Sequence, residues 1–154
     1  EFVYQALPGM NDEDVFGCQA IVNEYDEVEG ICEKLLIGST TLPLETIVNT
    51  VRSLGGMVIA AHIDRESFGI LGQLGFIPED IRFDALEVSF RKPLNRVREQ
   101  FTELSSYAFI TSSDAHRIND IGRAFTELEL EEPTIAECLL AFQGLSGRRV
   151  LYGS

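Results

Sequence analysis

Both histidines of this chain lie close behind an apolar run. His62 follows the run 57–61 directly, and His116 follows the run 107–112 through a polar segment that also contains Asp114. Each run is typical of a buried strand, and the carboxyl ends of strands are where ligands gather in α/β proteins. Imidazole nitrogens and carboxylate oxygens are common ligands of divalent metals. The pattern therefore predicts a metal site formed by His62, Asp114 and His116.

Each of these residues also has a purely structural interpretation. A histidine at a strand end can be hydrogen bonded within the fold, and Asp114 can form a turn that leaves His116 exposed. Their i, i+2 spacing, however, lets a carboxylate and an imidazole face the same ion. The combination of three donors at two strand ends is what favours a metal.

Two further polar residues are candidates for roles beside the predicted ligands. Arg65 could hold a substrate phosphate, because a guanidinium binds phosphate through paired hydrogen bonds. It could equally form an ion pair with Asp64 or Glu66. Glu87 lies in another predicted strand and could accept a hydrogen bond from a ligand imidazole.

The composition is that of an acidic chain that can bury one hydrophobic core. It has 154 residues, 45% of them hydrophobic, with 12 basic and 25 acidic residues and a net charge of -13. One domain, or part of one, is expected from this length. We expect such a charge to repel duplex nucleic acid and anionic membranes. A small phosphorylated substrate is compatible with it, because bound divalent cations would reverse the local field.

The cysteine pattern indicates a reducing compartment. Cys18, Cys32 and Cys138 are odd in number and have no CxxC spacing. This pattern favours neither a zinc ribbon nor a disulfide framework. We therefore expect three reduced thiols and a cytoplasmic protein.

Apolar periodicity divides the chain into alternating helices and strands. A β-hairpin is predicted near residues 18–37, around an acidic tip. Helices are predicted at 42–54, 67–74, 93–104 and 134–142, and strands at 57–61, 83–89, 107–112, 125–130 and 150–152. This alternation predicts an α/β fold with a mostly parallel sheet, either open or part of a barrel.

The two strand ends resemble motifs of the PHP domain family, named for polymerase and histidinol phosphatase. The family's Ala-His strand end corresponds to His62, and its Ser-Asp-Ala-His strand end corresponds to Asp114 and His116. The motifs occur in the family's order, and the resemblance covers about residues 30–145.

The resemblance implies the C-terminal part of a distorted seven-stranded β/α barrel of the TIM type. It also implies a divalent metal centre (Zn, Mn or Fe) that hydrolyses phosphate esters. On this hypothesis His62, Asp114 and His116 are metal ligands, and Asp114 and Arg65 take part in catalysis.

Two departures from the family pattern bear on function. Ile63 replaces a proline that often follows the family's third-motif histidine, which corresponds to His62. The family's early His-x-His and its next histidine and glutamate ligands have no counterpart. We favour the C-terminal part of a longer phosphoesterase, because the chain begins without Met and the late ligands remain. The alternative is a noncatalytic module with an assembly or regulatory role.

The fragment interpretation has consequences for domain organisation and partners. We expect residues 1–154 to form a single incomplete domain with exposed apolar surface. Either a second copy of the chain or a missing N-terminal segment would cover that surface.

Overall fold

A computed structural model describes residues 1–90 and 94–152, which divide into two compact units. The first unit is Glu1–Ile47 and the second is Val48–Ser154. The point of division falls within the helix Leu44–Ser53.

The first unit contains the predicted hairpin. Its elements are α1 (Phe2–Gln5), α2 (Glu13–Phe16), β1 (Ala20–Val22) and β2 (Val28–Ile31), and β1 pairs antiparallel with β2. Asn23 organises the tip, because its Oδ1 accepts hydrogen bonds from the backbone N–H groups of Tyr25 and Glu27 at 2.9 and 3.1 Å. This compact turn closes by residue 27. The second strand therefore begins directly after the turn, at Val28.

Both strands of the hairpin expose apolar side chains. Ile21 is 51% exposed and Val28 is 64% exposed. The expectation of exposed apolar surface is thus confirmed for the hairpin.

The second unit is organised around a three-stranded parallel sheet. Its elements are α3 (Leu44–Ser53, shared with the first unit), β3 (Ile59–Ala60), α4 (Ile70–Leu74), β4 (Ala85–Glu87), α5 (Leu94–Gln100), β5 (Phe109–Ile110), β6 (Glu127–Glu129), α6 (Ile135–Gln143) and β7 (Arg149–Leu151), with short 3₁₀ turns at Thr102–Leu104 and Ile118–Asp120. The sheet order is β3-β4-β5, with Ile59 opposite Ala85 and Leu86 opposite Phe109. The predicted alternation of helix and parallel strand is confirmed for this sheet. The first residue of the predicted helix 93–104, Pro93, lies outside the described residues.

The strands of this sheet are shorter than their apolar runs. At the start of the run 57–61, the Val58 N–H donates to the carboxylate of Asp84 at 2.7 Å rather than to a neighbouring strand. At its end the backbone turns at His62, whose φ is +30°. A side-chain acceptor and a turn thus reduce the run to two paired residues.

The described residues form no closed barrel, and the sheets are not mostly parallel. β6 pairs with β7 antiparallel, in a separate two-stranded sheet. The backbone N–H groups on the outer edge of β5 donate to side-chain hydroxyls. Phe109 N–H donates to Tyr152 Oη at 3.3 Å. Thr111 N–H donates to Thr126 Oγ1 at 2.8 Å. These hydroxyls satisfy the donors that another parallel strand would otherwise use.

The core lies on both faces of the parallel sheet, because side chains alternate along each strand. On one face Ala85 and Ala108 form a buried cluster with Val150, against which further side chains pack: Ile59, Ile110, Leu128, Phe142 and Tyr152. On the other face Leu86 and Phe109 are fully buried. The short strands are therefore held by packing on two sides.

The last helix, α6, has Thr134 as its N-cap. The Thr134 hydroxyl accepts from Glu137 N–H at 3.3 Å. The carboxylate of Glu137 does not close the capping box in return. It pairs with the Arg148 guanidinium through two hydrogen bonds, at 2.8 and 3.2 Å. The hydrogen bonds from Arg148 lower the pKa of Glu137.

We predict that the Glu137–Arg148 pair stabilises the fold at neutral pH and loses its effect in acid. Because the pKa of Glu137 is lower in the folded chain, this contribution is complete above the ordinary glutamate value of about 4.3 and disappears as the pH falls through the folded value. Unfolding of wild type and Glu137→Gln, followed from pH 7 to pH 3, checks this. The difference should shrink below about pH 4.3, while exposed Glu132→Gln should match wild type throughout. A difference that does not change with pH would contradict the prediction.

In the described part of the chain, the helices do not have the length and apolar composition that a membrane span requires. Cys18, Cys32 and Cys138 are all free thiols, respectively exposed, buried and half-buried.

Candidate functional site

The carboxyl edge of the parallel sheet carries the residues singled out from the sequence. His62 lies just after β3, Glu87 ends β4, and Asp114 lies in the segment that follows β5. Because β4 is the central strand, Glu87 lies between the chain segments that carry the other two. All three strands run parallel, so their carboxyl ends share one edge.

The backbone is strained at two of the predicted ligands. Four non-glycine residues of the described chain have positive φ, and His62 (+30°) and Asp114 (+47°) are two of them. Such conformations cost about 1–3 kcal/mol each and cluster at functional sites. The strain therefore supports a functional hypothesis for these two positions.

The imidazole of His62 has an orphaned nitrogen. Its Nδ1 is buried and has no hydrogen-bond partner among the described residues. A buried ring nitrogen without a partner is unfavourable, and structural histidines usually avoid it. A metal ion is one species that would use this lone pair.

Glu87 connects the ends of all three strands. One carboxylate oxygen accepts from the backbone N–H of His62 at 3.3 Å, and the other accepts a short hydrogen bond from the hydroxyl of Ser112. Its carbonyl accepts from Ile63 N–H at 2.8 Å. From the sequence, Glu87 was a candidate to accept a hydrogen bond from a ligand imidazole. In the structure, its hydrogen bonds instead fix the backbone around His62.

Asp114 lies between two cationic or protonatable groups. Its Oδ2 is 2.5 Å from Nη2 of Arg65, and its Oδ1 is 4.0 Å from Nδ1 of His116. The His116 ring is 79% exposed, and its Nδ1 lies 2.8 Å from the carbonyl oxygen of Asp114. Arg65 therefore pairs with Asp114, and not with Asp64 or Glu66 as the structural interpretation from sequence assumed.

Hydroxyl groups close the base of the loop that carries Asp114 and His116. The Thr126 hydroxyl accepts from Thr111 N–H at 2.8 Å and donates to Thr111 C=O at 2.7 Å. Next to it, the Ser113 hydroxyl donates to Ala124 C=O at 3.0 Å. Thr126 was not identified from the sequence, because its partner is 15 positions away and no local motif marks the pair.

Asp64 bonds to Ser89 and not to its neighbour Arg65. Its two carboxylate oxygens accept from the backbone N–H and the hydroxyl of Ser89, at 2.7 and 2.6 Å. Ser89 is buried, so these bonds satisfy polar groups that water does not reach. Asp64 thus fixes the turn after β3 to the segment after β4, and leaves Arg65 free to reach Asp114.

The donor types at this edge match a divalent metal, but the donors are not gathered into a complete site. Histidine nitrogen and carboxylate oxygen suit Zn, Mn or Fe. Within residues 1–90 and 94–152, no group of three or more His, Cys, Asp or Glu side chains is placed to hold a metal ion. The assignment of His62, Asp114 and His116 as ligands stays a prediction, supported by one orphaned nitrogen and two strained backbones.

A cleft of about 570 Å³ opens at the opposite edge of the sheet. Its lining includes Phe83 and Asp84, just before β4, and Tyr107 and Ala108, just before β5. This cleft lies at the amino ends of the strands. The candidate chemistry lies at their carboxyl ends, where ligand sites of parallel sheets usually occur.

The fold and site together define an α/β protein with strained polar residues at the carboxyl ends of parallel strands. Residues 92–143 match a family model described as PHP-associated. This match confirms the resemblance to PHP-type sequences for this part of the chain.

Two known proteins are similar to the chain over much of its length. The uncharacterized protein YqxK of Bacillus subtilis (strain 168) is 29% identical over 106 residues, covering 66% of this chain and 27% of YqxK. The crystal structure of the novel lesion-specific endonuclease PfuEndoQ from Pyrococcus furiosus superposes with a TM-score of 0.60 and 22% identity. The superposition covers 73% of this chain and 29% of the endonuclease. The second likeness shows a shared fold, and the chain spans less than a third of either protein.

The exclusion of duplex nucleic acid was wrong. A protein with this fold over 73% of the chain is an endonuclease, an enzyme that cleaves nucleic acid. Net charge is a property of the whole surface, whereas binding depends on the local field at the site. A charge of -13 therefore does not exclude this class of substrate.

Proposed function

We propose that this chain contributes part of the active site of a metal-dependent phosphoesterase of the PHP type. In this proposal His62, Asp114 and His116 are metal ligands, and Arg65 contacts the substrate phosphate. The observation that carries the proposal is the buried Nδ1 of His62, which lacks a partner in the described part of the chain and lies at a strained position on the carboxyl edge of the sheet. The arginine 2.5 Å from Asp114 supports it, because it provides a phosphate-binding cation beside a candidate ligand.

The roles of the chain's own residues follow from their positions. When bound, a divalent ion supplies an activated water and neutralises charge on the phosphoryl group. Asp114 orients the attacking water through its carboxylate. The guanidinium of Arg65 holds two phosphate oxygens, because its planar fork matches their geometry. Glu87 holds the backbone of His62 at a fixed distance from the β5 end through its bonds to His62 N–H and Ser112.

We infer that the remaining ligands come from residues outside this chain. Three donors at one edge are too few for a metal cluster, and the chain spans only 27% of YqxK and 29% of the endonuclease. On this proposal the 154 residues are the C-terminal part of a single incomplete domain, and the absent part completes a seven-stranded β/α barrel. A cytoplasmic location belongs to the same proposal and rests on the three free cysteines.

Two classes of phosphate ester are candidate substrates. A small phosphate ester suits a site in which a single arginine, Arg65, binds a single phosphate group. A phosphodiester within a nucleic acid is favoured by the likeness of fold to a lesion-specific endonuclease. The noncatalytic alternative, a module for assembly or regulation, is favoured by the absence of a three-donor group among the described residues.

We predict that a longer polypeptide containing this chain hydrolyses a phosphate ester only when divalent metal is bound. The assay compares a generic phosphomonoester with a damaged and an undamaged oligonucleotide duplex, before and after EDTA, and with Mn²⁺ or Zn²⁺ restored. We expect loss of activity with EDTA and recovery with metal, because the metal activates the water.

The outcomes of this assay separate the alternatives. Hydrolysis of the monoester alone assigns the small-ester class, and cleavage of the duplex assigns the nucleic-acid class. Activity that resists exhaustive removal of metal would refute the metal-dependent mechanism. No hydrolysis of any substrate by a folded, metal-loaded protein would favour the noncatalytic module.

A further inference from the structure

The hairpin of the first unit exposes an isoleucine on each of its faces. Ile31 lies opposite Ala20, and Ile21 lies opposite Gly30. Because successive side chains of a strand point to opposite faces, the two isoleucines lie on different faces. Alanine and glycine are too small to cover the isoleucine beside them, so Ile31 and Ile21 are 46% and 51% exposed. Exposed apolar surface of this kind marks an interaction site in a soluble protein.

The two faces of the hairpin differ in charge. Glu29 is exposed in β2, two residues before Ile31, and therefore shares the face of Ile31 and Ala20. The other face carries Ile21 and Gly30, which are uncharged. We call the face with Ala20, Glu29 and Ile31 the acidic face. It combines an apolar anchor with a carboxylate beside it.

The whole first unit is strongly acidic. Residues 1–47 contain ten acidic residues and one basic residue, Lys34. Its Nζ donates to the carbonyl oxygens of Tyr4 and Gln5, at 3.0 Å each, and so is committed to backbone groups. The ion pairs between described residues all belong to the second unit. Within the described part of the chain, the carboxylates of the first unit are therefore not neutralised by a cation.

The base of the hairpin is held independently of its faces. Nε2 of Gln19 donates to the carbonyls of Cys32 and Lys34 at 2.9 and 2.7 Å, and its Oε1 accepts from Leu36 N–H at 3.0 Å. These bonds close the hairpin in the 154-residue chain. A two-stranded hairpin is nevertheless only marginally stable until another layer packs on it. A covering segment should therefore slow its local opening.

Charge decides between the two ways in which this surface could be covered. A second copy of the chain would bring two sets of carboxylates together, and like charges that face each other across an interface are unfavourable. A segment with lysine or arginine beside apolar side chains would instead complement both Glu29 and Ile31. The acidic face thus favours a basic occupant over self-association.

We propose that the acidic face of the hairpin is a docking surface for a basic segment of the longer polypeptide, one that lies outside these 154 residues. The apolar side chains of that segment pack on Ile31, and its cation pairs with Glu29. This inference rests on the proposal that the chain is part of a longer phosphoesterase, and it adds the chemistry of the segment that covers the first unit. It involves neither the carboxyl edge of the parallel sheet nor a metal.

The test compares hydrogen exchange in the 154-residue chain and in the longer polypeptide, by mass spectrometry of peptides that contain β1 and β2. We expect these amides to exchange at least about tenfold more slowly in the longer polypeptide, because the covering segment suppresses local opening. Sodium chloride at about 1 M shortens the Debye length to about 3 Å and should remove part of this protection.

Substitutions on the two faces give matched controls. Glu29→Lys and Ile31→Thr should each remove most of the added protection, and Glu29→Gln should remove less than Glu29→Lys. Ile21→Thr, on the other face, and Glu132→Lys, at an exposed carboxylate of the second unit, should leave it unchanged. Each variant is also measured in the 154-residue chain, so that effects on the hairpin itself are subtracted, and circular dichroism confirms folding.

The outcomes separate this inference from the proposed function. Equal exchange in the two proteins overturns the docking surface, and so does protection that resists both Glu29→Lys and salt. Dimerisation of the 154-residue chain in sedimentation equilibrium, with protection that rises with concentration, assigns the face to a second copy and also overturns it. Phosphate-ester hydrolysis by the longer polypeptide is measured in parallel. Hydrolysis without hairpin protection refutes the docking surface alone, whereas protection without hydrolysis refutes the proposed activity alone.

Discussion

Replacing His62 by asparagine is expected to reduce phosphate-ester hydrolysis by the longer polypeptide by more than about 100-fold and to leave its fold intact. Loss of even an outer partner of a metal ligand costs about 10- to 100-fold in activity or metal affinity, so loss of a ligand should exceed this. Asparagine tolerates the positive φ of +30° that this position requires. Initial rates with saturating Mn²⁺, together with a thermal melt of each protein, test both parts.

The fold should survive this substitution because the buried ring nitrogen of His62, Nδ1, forms no hydrogen bond within the described residues. The bond from His62 to Glu87 comes from the backbone, which asparagine retains. Asp26→Asn is the matched control, because Asp26 also has positive φ (+62°) but lies in the hairpin tip. Its activity should equal that of wild type. A His62→Asn protein with full activity, or one that loses activity only by unfolding, would assign His62 a structural role.

Phe109→Ala is expected to destabilise the second unit by about 3–5 kcal/mol, the usual cost of removing a buried aromatic side chain. Phe109 is fully buried in β5, opposite the equally buried Leu86 of β4. Because whole proteins are stable by only about 5–15 kcal/mol, this loss should leave a substantial unfolded fraction at moderate temperature. Chemical denaturation of the 154-residue chain measures it directly.

The control for this prediction is another phenylalanine of the same unit. Phe68 is 81% exposed, so Phe68→Ala should change the unfolding free energy by less than about 0.5 kcal/mol. Similar losses in the two variants, or a loss below about 1 kcal/mol in Phe109→Ala, would show that β5 is not packed as described.

Much of the organisation of the parallel sheet could be predicted from apolar runs. The runs 57–61, 83–89 and 107–112 each contain a strand, and the intervening helices favour parallel pairing. Their lengths could not be predicted, because Asp84 and the turn at His62 compete with the strand ladder for the run 57–61. The runs could not show whether another parallel strand would pair with β5. Its outer edge is hydrogen bonded to the hydroxyls of Tyr152 and Thr126, and no run of apolar residues predicts those bonds.

At the site, the sequence by itself determined which side chains reach the carboxyl edge of the sheet. A strand that ends before His62, and another that ends before Asp114, place both residues at that edge whatever the loops do. Local chemistry likewise specified the N-cap at Thr134, since a threonine hydroxyl accepts from a backbone N–H only three residues away.

Only the tertiary structure decided which of these groups meet. Arg65 pairs with Asp114, 49 positions away, and not with its neighbours, because Asp64 is already bonded to Ser89. Glu87 bonds the backbone of His62, and the buried imidazole nitrogen finds no partner within the described residues. These pairings depend on the order β3-β4-β5 and on the direction of each loop. Packing of the whole unit sets that long-range geometry, and the spacing of residues along the chain does not.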